Sequence, residues 1–312
     1  MGGAVERVGD LGEFGLIARL TRGLPQAPAV ALGPGDDAAV VAAPDGRVVA
    51  TADLLVEGRH FRRDWSGPAD IGHKAAAQNL ADVVAMGARP TALLVGLALP
   101  PETPAAWAED LYAGLAAECA AAGASIVGGD VVGADAVTLA ITALGDLGGA
   151  PPLTRSGARP GDVVAVRGAL GFSAAGLDLL ERGASGPAEL LAAHRRPRPP
   201  YEAGAEARAA GATALIDVSD GLVRDLGHVA AASGVRVEID TAALPVPAVL
   251  GADGVRHVLT GGEDHGFAAA FPPGRVPAAW TAIGRVAEGS GVRVDGRPFD
   301  GGGWDHFPRR PR

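Results

Sequence analysis

Short apolar segments that alternate with longer helical patterns constrain the fold of this 312-residue chain most strongly. The strand candidates are β-branched or otherwise apolar, and glycine, proline or aspartate bounds each of them. They cover residues 38–41, 48–53, 92–99, 124–127, 137–144, 163–167, 215–218, 235–239 and 266–271. Helical patterns cover 13–20, 71–86, 104–122, 173–181, 201–210 and 221–232, with Gly87 and Gly123 where C-terminal caps belong. This mixture predicts an α/β or α+β fold.

Two irregular stretches interrupt the pattern. Residues 148–162, GGAPPLTRSGARPGD, are rich in glycine, proline and serine, which is typical of a domain boundary. Since a chain of this length usually has two domains, we expect domains at 1–150 and 151–312. Residues 182–200 end in HRRPRPP and predict a solvated surface loop with a basic edge. An edge that steers an anion is the alternative interpretation of that loop.

Charge and cysteine content exclude several classes of protein. Lys and Arg number 27 against 36 Asp and Glu, and a net charge of −9 does not suit a nucleic-acid binder. The most apolar short run, 91–99, is far below the roughly 20 residues that a membrane helix needs. Cys119 is the single cysteine, which excludes an intrachain disulfide and favours a cytoplasmic protein. We expect Cys119 to be a small buried residue rather than a nucleophile.

Acidic residues recur at turns, beside glycine or just past a predicted strand. Singly, each is an Asx turn, a helix cap or a solvated acid as readily as a site. Glycines beside an acid also let the backbone approach a phosphate, while carboxylates hold the accompanying Mg²⁺. Together they predict a divalent-metal cluster that holds a polyphosphate. The segments are GPGDD at 33–37, TAD at 51–53 with EGRHF at 57–61, Asp82, VGGD at 127–130, DVSDG at 217–221 and GGED at 261–264.

The predicted helix at 71–86 carries an unusual polar stripe. Lys74, Gln78 and Asp82 are spaced i, i+4, i+8, so they share one face. A solvated face is the simplest interpretation of this segment taken alone. The rest of the helix is apolar or small, however, so Asn79 and Asp82 are also candidates for buried polar groups that need partners.

Phosphate binding in this chain cannot rely on lysine. Lys74 is the only lysine and Ile-Gly-His precedes it, so the P-loop motif G-x-x-x-x-G-K-[ST] is absent. The protein-kinase signature set is absent too. A nucleotide site here must therefore use Mg²⁺, backbone amides and arginine.

Taken in order, the motifs resemble those of the thiamine-monophosphate kinase family. They are GPGDDAAVV, TADLLVEGRHF, DIGHKAAAQNLADVVAMGARP, IVGGD, LTRSGARPGD, DVSDGLVRDLGHVA, TGGED and WDHF, and they span nearly the whole chain. The family belongs to the aminoimidazole-ribonucleotide-synthetase (PurM-like) superfamily. The resemblance implies a PurM-like two-domain fold and a homodimer whose N-terminal domains share a β-barrel. It also implies ATP-dependent phosphorylation of thiamine monophosphate to thiamine diphosphate.

The same resemblance implies roles for single residues. Several Mg²⁺ ions would be held by Asp37, Thr51, Ala52, Asp53, Asp82, Asp130, Asp217 and Asp220. ATP would contact Gly129, Asp130, Arg155 and Ser219, and thiamine monophosphate would contact His60, Glu263 and Trp304. Asp130, Arg155 and Asp217 would serve catalysis directly.

Two places depart from the family pattern. Ala52 stands where the family has Thr, and it serves equally well only if the metal contact uses the backbone carbonyl. His265 and Gly266 stand where the family commonly has Tyr-Glu, so no role passes to them.

Trp304 suits the thiazolium cation through a cation–π contact of roughly 0.5–2 kcal/mol, and anchoring of the C-terminal tail is its alternative role.

Two other functions are compatible with these motifs. The first is another ATP-dependent PurM-like synthetase, although the N-terminal cysteine of the selenophosphate branch and the cysteine tail of the hydrogenase-maturation branch are missing. The second is a non-catalytic nucleotide- or metal-binding paralogue, against which the intact acidic positions argue.

Overall fold

The computed structural model describes residues 6–34, 38–299 and 302–303. Within them the chain forms two compact units. Unit 1 takes the chain up to Val83 together with Ala88–Ala150, and unit 2 takes Val84–Gly87 together with the chain from Pro151 onward.

Unit 1 is built on a four-stranded sheet with the strand order β3-β6-β4-β5. Its strands are β3 (Val49–Val56), β4 (Arg89–Leu99), β5 (Ser125–Gly133) and β6 (Thr138–Asp146). Before them come α1 (Val8–Leu20) and a short antiparallel pair, β1 (Val30–Leu32) and β2 (Val40–Val41). Helix α2 (Pro68–Ala85) connects β3 to β4, and α3 (Ala105–Ala122) connects the parallel strands β4 and β5.

Burial alternates along these strands, because successive side chains point to opposite faces of a sheet. Leu55, Val95 and Leu139 are buried on one face. On the other face Leu54 is 58% exposed and Val132 is 51% exposed. Unit 1 therefore has one covered sheet face and one apolar face that is open in the single chain.

Helices α2 and α3 approach each other closely, and two glycines permit this. A Cβ atom on Gly72 of α2 would collide with the backbone of Leu111. A Cβ atom on Gly114 of α3 would collide with the backbone of Ala69. The close approach keeps α2 in place behind the sheet, where its polar residues reach β3.

Unit 2 contains a seven-stranded sheet with the order β13-β12-β9-β11-β7-β10-β8. The β9–β12 pair is parallel and the others are antiparallel. Its strands are β7 (Val163–Arg167), β8 (Ala214–Val218), β9 (Arg236–Ile239), β10 (Gly266–Phe271), β11 (Thr281–Ala287), β12 (Gly291–Val294) and β13 (Arg297–Pro298). Its α-helices are α4 (Phe172–Glu181), α5 (Ala188–Arg195), α6 (Ala203–Ala210), α7 (Leu222–Ser233) and α8 (Gly254–Thr260), with 3₁₀-helices at Thr241–Ala243 and Ala248–Asp253.

All nine predicted strands and all six predicted helices are present; β7 and β10 have the predicted bounds, and the ends of the other elements are shifted. The cap at Gly123 is confirmed by its left-handed φ of 76°. The surface loop predicted at 182–200 is wrong, because α5 forms within it and buries Leu190, Leu191 and His194. Strands β1, β11, β12 and β13 and helix α8 have no counterpart in the prediction.

None of the helices in the described part of the chain combines the length and the apolar character of a membrane span. Cys119 is 1% exposed, as predicted for a packing residue. Burial raises the pKa of its thiol to about 12, so the thiol stays protonated and unreactive at neutral pH.

Candidate active site

The first acidic group lies where β3 packs against α2. Thr51 donates its hydroxyl hydrogen to the Asp82 carboxylate over 2.9 Å. Gln78 donates a side-chain amide hydrogen to the Asp53 carboxylate over 3.2 Å. The fully buried Asn79 accepts the backbone N–H of Asp53 over 3.1 Å. These bonds fix the orientation of two carboxylates and one hydroxyl, all of them oxygen donors of the kind that Mg²⁺ prefers.

The polar stripe of α2 is not a solvated face. Lys74 is 3% exposed, and its ammonium group donates to the backbone carbonyl of His60 over 3.3 Å. The prediction that Asn79 and Asp82 need partners is confirmed, because both are hydrogen-bonded to β3. The stripe thus holds the acidic group and the His60 turn together.

Strand β3 does not end at Asp53 as the sequence suggested. It runs on to Val56, since Leu55 pairs with Leu139 and is fully buried. His60 lies in the turn that follows, and its Nδ1 accepts the backbone N–H of Val56 over 3.0 Å. Because Nδ1 accepts, the neutral ring carries its hydrogen on Nε2.

Ala52 lies between Thr51 and Asp53 on β3 but is exposed, whereas its two neighbours are partly buried. Its methyl group therefore belongs to the open face of the sheet. Only the main-chain carbonyl of Ala52 is left to serve a cation held by its neighbours.

The second acidic group is in the interior of β5, and not in a turn as predicted. Asp130 pairs with Gly96 of β4 and is exposed, and its carboxylate accepts the N–H of Val131 over 2.9 Å. Gly129 has a φ of 154°, and a Cβ atom there would collide with the backbone of Val95. The glycine is thus required by the approach of β4, whether or not a phosphate also lies nearby.

A cavity of about 930 Å³ opens beside Asp130 in unit 1. Gly128, Gly129 and Asp130 form one wall of it. Pro34 and Ala38, which flank the undescribed residues 35–37, also line it. Apolar and aromatic side chains complete the lining, among them Ile17, Leu20, Val41, Leu94, Tyr112 and Ile126.

The two acidic groups of unit 1 do not converge. Asp53 and Gly129, the neighbour of Asp130, occupy one row across the sheet, with Ile141 and Val95 between them. Since neighbouring strands lie about 4.8 Å apart, three spacings separate the two edge strands by roughly 14 Å. No three His, Cys, Asp or Glu side chains gather as a metal site among the described residues. The described residues of unit 1 therefore do not gather into one cluster, and a shared metal site stays a prediction.

Unit 2 carries a third acidic group at the end of β8. Asp217 is 4% exposed, and its Oδ2 atom has no hydrogen-bond partner among the described residues. The Nδ1 atom of His265 lies 3.7 Å away, which is too long for a hydrogen bond. A buried carboxylate oxygen without a donor is favourable only beside positive charge, so this position fits a divalent cation.

The start of α7 is bonded to a carboxylate of the helix itself. Neither Ser219 nor Asp220 caps the helix, and Gly221 is the N-cap residue instead. The backbone N–H groups of Ser219, Asp220 and Gly221 all donate to the Asp225 carboxylate over 3.1 Å. Burial, and then the negative charges of Asp217 and Asp220, raise the pKa of Asp225 to about 7. These three backbone amides are thus already hydrogen-bonded within the chain.

The GGED turn is bonded to the turn before α7. Ser219 accepts the backbone N–H of Glu263 over 2.8 Å. Glu263 and His265 have φ values of 62° and 53°, which are strained for residues other than glycine. Such strain persists only where the surroundings impose it, and it is enriched at functional sites.

Asp264, between these two strained residues, is a structural group. Its carboxylate accepts the N–H groups of Gly171 over 2.6 Å and Ser173 over 2.8 Å, at the start of α4. Burial raises its pKa to about 7. The partly exposed Glu263 carboxylate lies 3.7 Å from the Nδ1 atom of His194.

The remaining predicted residues divide into two groups. Arg155 is exposed, and its backbone carbonyl accepts the hydroxyl of Ser233 over 3.1 Å, which anchors its loop. Asp37 and Trp304 lie outside the described residues.

Sequence reasoning missed Asp225, Asp264 and His194. Asp225 had a signal, because an acid in the first turn of a helix can bond to the preceding amides. Asp264 was noticed only as an acid beside glycine, with no hint that it caps α4. His194 was assigned to a loop that turned out to be α5.

Two family models match this chain. The one for the N-terminal domain of AIR synthase related proteins matches residues 35–147, and the one for the C-terminal domain matches residues 159–297. The class of protein is therefore that of the AIR-synthase-related proteins, with the two-domain PurM-like fold.

Relatives narrow this class. A thiamine-monophosphate kinase of Mycobacterium tuberculosis is 52% identical over 308 residues, covering 96% of this chain and 92% of the relative. The crystal structure of a thiamine-monophosphate kinase from Stenotrophomonas maltophilia K279a is 36% identical with a TM-score of 0.80, covering 91% of this chain and 95% of that one. A solved complex of AaThiL with AMPPCP and TMP is 34% identical with a TM-score of 0.79, covering 98% of this chain and 100% of that one. The chain belongs to the thiamine-monophosphate kinase family.

Proposed function

We propose that this protein transfers the γ-phosphoryl group of ATP directly to thiamine monophosphate, giving thiamine diphosphate and ADP. This is the last step of thiamine diphosphate biosynthesis. The match to a thiamine-monophosphate kinase at 52% identity over 96% of the chain carries the proposal. The relative solved with AMPPCP and TMP supports the same pair of substrates.

The chemistry of the acceptor fits the residues. A phosphate monoester has its second pKa near 6, so at neutral pH it is mostly a dianion and already a nucleophile. It needs no strong general base, and no Ser-His-Asp or Cys-His set is required. The barrier is instead the repulsion between a dianion and the polyphosphate of ATP. Arg155 supplies fixed positive charge against that repulsion.

The acidic groups hold Mg²⁺ in this proposal, since carboxylates repel phosphate. Bound Mg²⁺ would neutralise phosphate oxygens and the charge that develops during transfer. The buried Oδ2 atom of Asp217, which has no hydrogen-bond partner in the described part of the chain, supports this role. The oriented oxygens of Thr51, Asp53 and Asp82 support it too. The full proposed ligand set is Asp37, Thr51, Ala52, Asp53, Asp82, Asp130, Asp217 and Asp220.

ATP and thiamine monophosphate contact different residues. Gly129 and Asp130 contact ATP at the wall of the unit 1 cavity, whose apolar lining suits an adenine ring. Arg155 and Ser219 are further ATP contacts in this proposal. Thiamine monophosphate contacts His60, Glu263 and Trp304.

Two further properties belong to the proposal. The open apolar sheet face of unit 1, with Leu54 and Val132 exposed, suits a second copy of the chain, so we expect a homodimer. Sedimentation of the wild type and of Leu54→Glu tests this, and the variant should be monomeric. The single cysteine, which is free and buried, and the need for ATP support a reaction in the cytoplasm in this proposal.

The direct test supplies purified protein with ATP, MgCl₂ and thiamine monophosphate. Thiamine diphosphate and ADP should form in equal amounts. Turnover that requires a different phosphate acceptor would favour another synthetase of the superfamily.

A further inference from the structure

Three consecutive backbone amides converge on one oxygen atom before α7. Ser219, Asp220 and Gly221 each donate to the Oδ2 atom of Asp225 over 3.1 Å. Gly221 has a φ of 122°, and a Cβ atom there would meet the backbone of Thr260 at 2.8 Å. The carboxylate therefore holds a sharp turn that has little room to relax towards α8.

This turn contacts or contains residues of unit 2 that we propose to bind ATP, Mg²⁺ and thiamine monophosphate. It contains Ser219 and Asp220 and begins two residues after Asp217. Its Ser219 carbonyl accepts the backbone N–H of Glu263 over 2.8 Å. The position of the strained Glu263 backbone thus depends on the conformation that Asp225 imposes.

Asp225 itself is unsuited to direct contact with a substrate. It is 4% exposed on α7, and the three amides surround its Oδ2 atom. A negative charge on Asp225 is also repelled by Asp217 and Asp220, and this repulsion lowers the stability of the fold. Stability alone therefore does not account for an acid at this position. Its hydrogen bonds to the turn offset that repulsion.

We propose that Asp225 is a positioning residue, whose carboxylate sets the Ser219–Gly221 turn and, through Ser219, the Glu263 turn for nucleotide and substrate binding. The inference rests on the proposed kinase function. It adds a residue that neither the sequence motifs nor the comparisons assign.

Three variants separate geometry from charge. Asp225→Asn keeps the length of the side chain and one carbonyl acceptor but loses the charge. Asp225→Glu keeps the charge but moves the acceptor by one methylene. Asp225→Ala removes the acceptor. The matched control is Asp162, a buried carboxylate of unit 2 that accepts the N–H of Arg159 over 2.8 Å and contacts neither turn.

Two readouts on the full chain are used. One is hydrogen exchange of the Ser219–Gly221 amides without ligand, and the other is the Kd of Mg²⁺-ATP together with the KM of thiamine monophosphate. We expect Asp225→Ala and Asp225→Glu to speed the hydrogen exchange of these amides. Both variants should also raise the Kd of Mg²⁺-ATP and the KM of thiamine monophosphate by about 10- to 100-fold, as when a residue that orients a ligand is lost. Asp225→Asn should change the amide exchange and the two constants less than those variants do. Asp162→Asn should leave the exchange and both constants unchanged.

Two results would overturn the proposal. The first is a larger change in exchange and affinities for Asp225→Asn than for Asp225→Glu, because the charge of the carboxylate would then matter more than its position. The other is exchange and affinities that respond no more to Asp225 variants than to Asp162→Asn. Should Asp225→Ala fail to fold, the Asn and Glu variants still decide. A wild-type protein without kinase activity contradicts the proposed function instead, while exchange and Mg²⁺-ATP affinity still test Asp225.

Discussion

The hydroxyl of Thr51 on β3 donates a hydrogen bond of 2.9 Å to the carboxylate of Asp82 on α2. This contact joins two oxygen donors from distant parts of the sequence. Helix α2 is held in place by its close packing against α3, which Gly72 and Gly114 allow. The hydroxyl orients the Asp82 carboxylate without neutralising its charge. Such an orientation suits a carboxylate that binds a cation.

Replacement of Thr51 by Val tests this contact, since Val has the same shape without the hydroxyl. We expect kcat/KM to fall by about 10- to 100-fold and the Mg²⁺ requirement to rise. Stability should fall by only about 1 kcal/mol, the usual contribution of one hydrogen bond. Initial rates over a range of MgCl₂ concentrations measure the effect. Thr138→Val on β6 is the control, and an unchanged Mg²⁺ dependence in Thr51→Val would remove Thr51 from the proposed ligands.

Asp130→Asn should abolish turnover while leaving the fold intact. Asp130 is exposed, and its described hydrogen bond is to the adjacent residue, so the isosteric amide disturbs no packing. Thermal unfolding and turnover are measured together. Asp135→Asn, an exposed acid in the following turn, should have normal activity. Near-normal turnover of Asp130→Asn would show that the cavity wall holds no metal at this position.

Glu263→Gly should make the protein more stable and less active. A left-handed φ costs a residue other than glycine roughly 1–2 kcal/mol, and glycine removes that cost. The KM for thiamine monophosphate should rise, because the carboxylate is lost. Glu263→Gln keeps the strain, so it should raise the KM without raising Tm. Equal Tm values for the two variants would mean that the strain at Glu263 is not released.

The raised pKa of Asp264 leads us to expect that the stability of the protein depends on pH in a specific way. Its pKa in the folded protein is raised to about 7 from the usual 3.8, so the native state binds the proton more tightly than the unfolded chain. The free energy of unfolding should therefore decrease as pH rises from about 4 to about 7, by up to about 1.4 kcal/mol per pH unit for this group.

Urea unfolding of the wild type and of Asp264→Asn at pH 5 and pH 8 isolates this effect. The wild type should lose more stability between the two pH values than the variant, because the amide does not titrate. Asp225 has a pKa raised in the same direction and is present in both proteins, so it cancels in the comparison. Parallel pH profiles would show that Asp264 is already ionised in the folded protein.

Local patterns in the sequence identified most of the elements, because strands such as β7 and β10 are short apolar runs bounded by turn residues. They missed α5, where flanking prolines and arginines suggested a loop although Leu190 and Leu191 bury one face. They missed β12, GVRV, because a four-residue strand at a turn carries too little pattern.

The acidic residues were recognisable, but their placement was not. Whether Asp53 and Asp130 converge depends on the strand order β3-β6-β4-β5, which puts them on opposite edges of one sheet. That order results from packing between residues far apart in the chain. The role proposed for Asp225 likewise depends on the direction of three backbone amides, which the sequence pattern does not show.

Phosphorus NMR of the complete reaction tests the kinase function most directly. Purified protein is incubated with ATP, MgCl₂ and thiamine monophosphate, and the phosphorus signals are followed over time. The monoester signal should disappear as the two signals of thiamine diphosphate and those of ADP grow in equal proportion. An unchanged thiamine monophosphate signal, with ATP either intact or hydrolysed to inorganic phosphate, would contradict the proposed function.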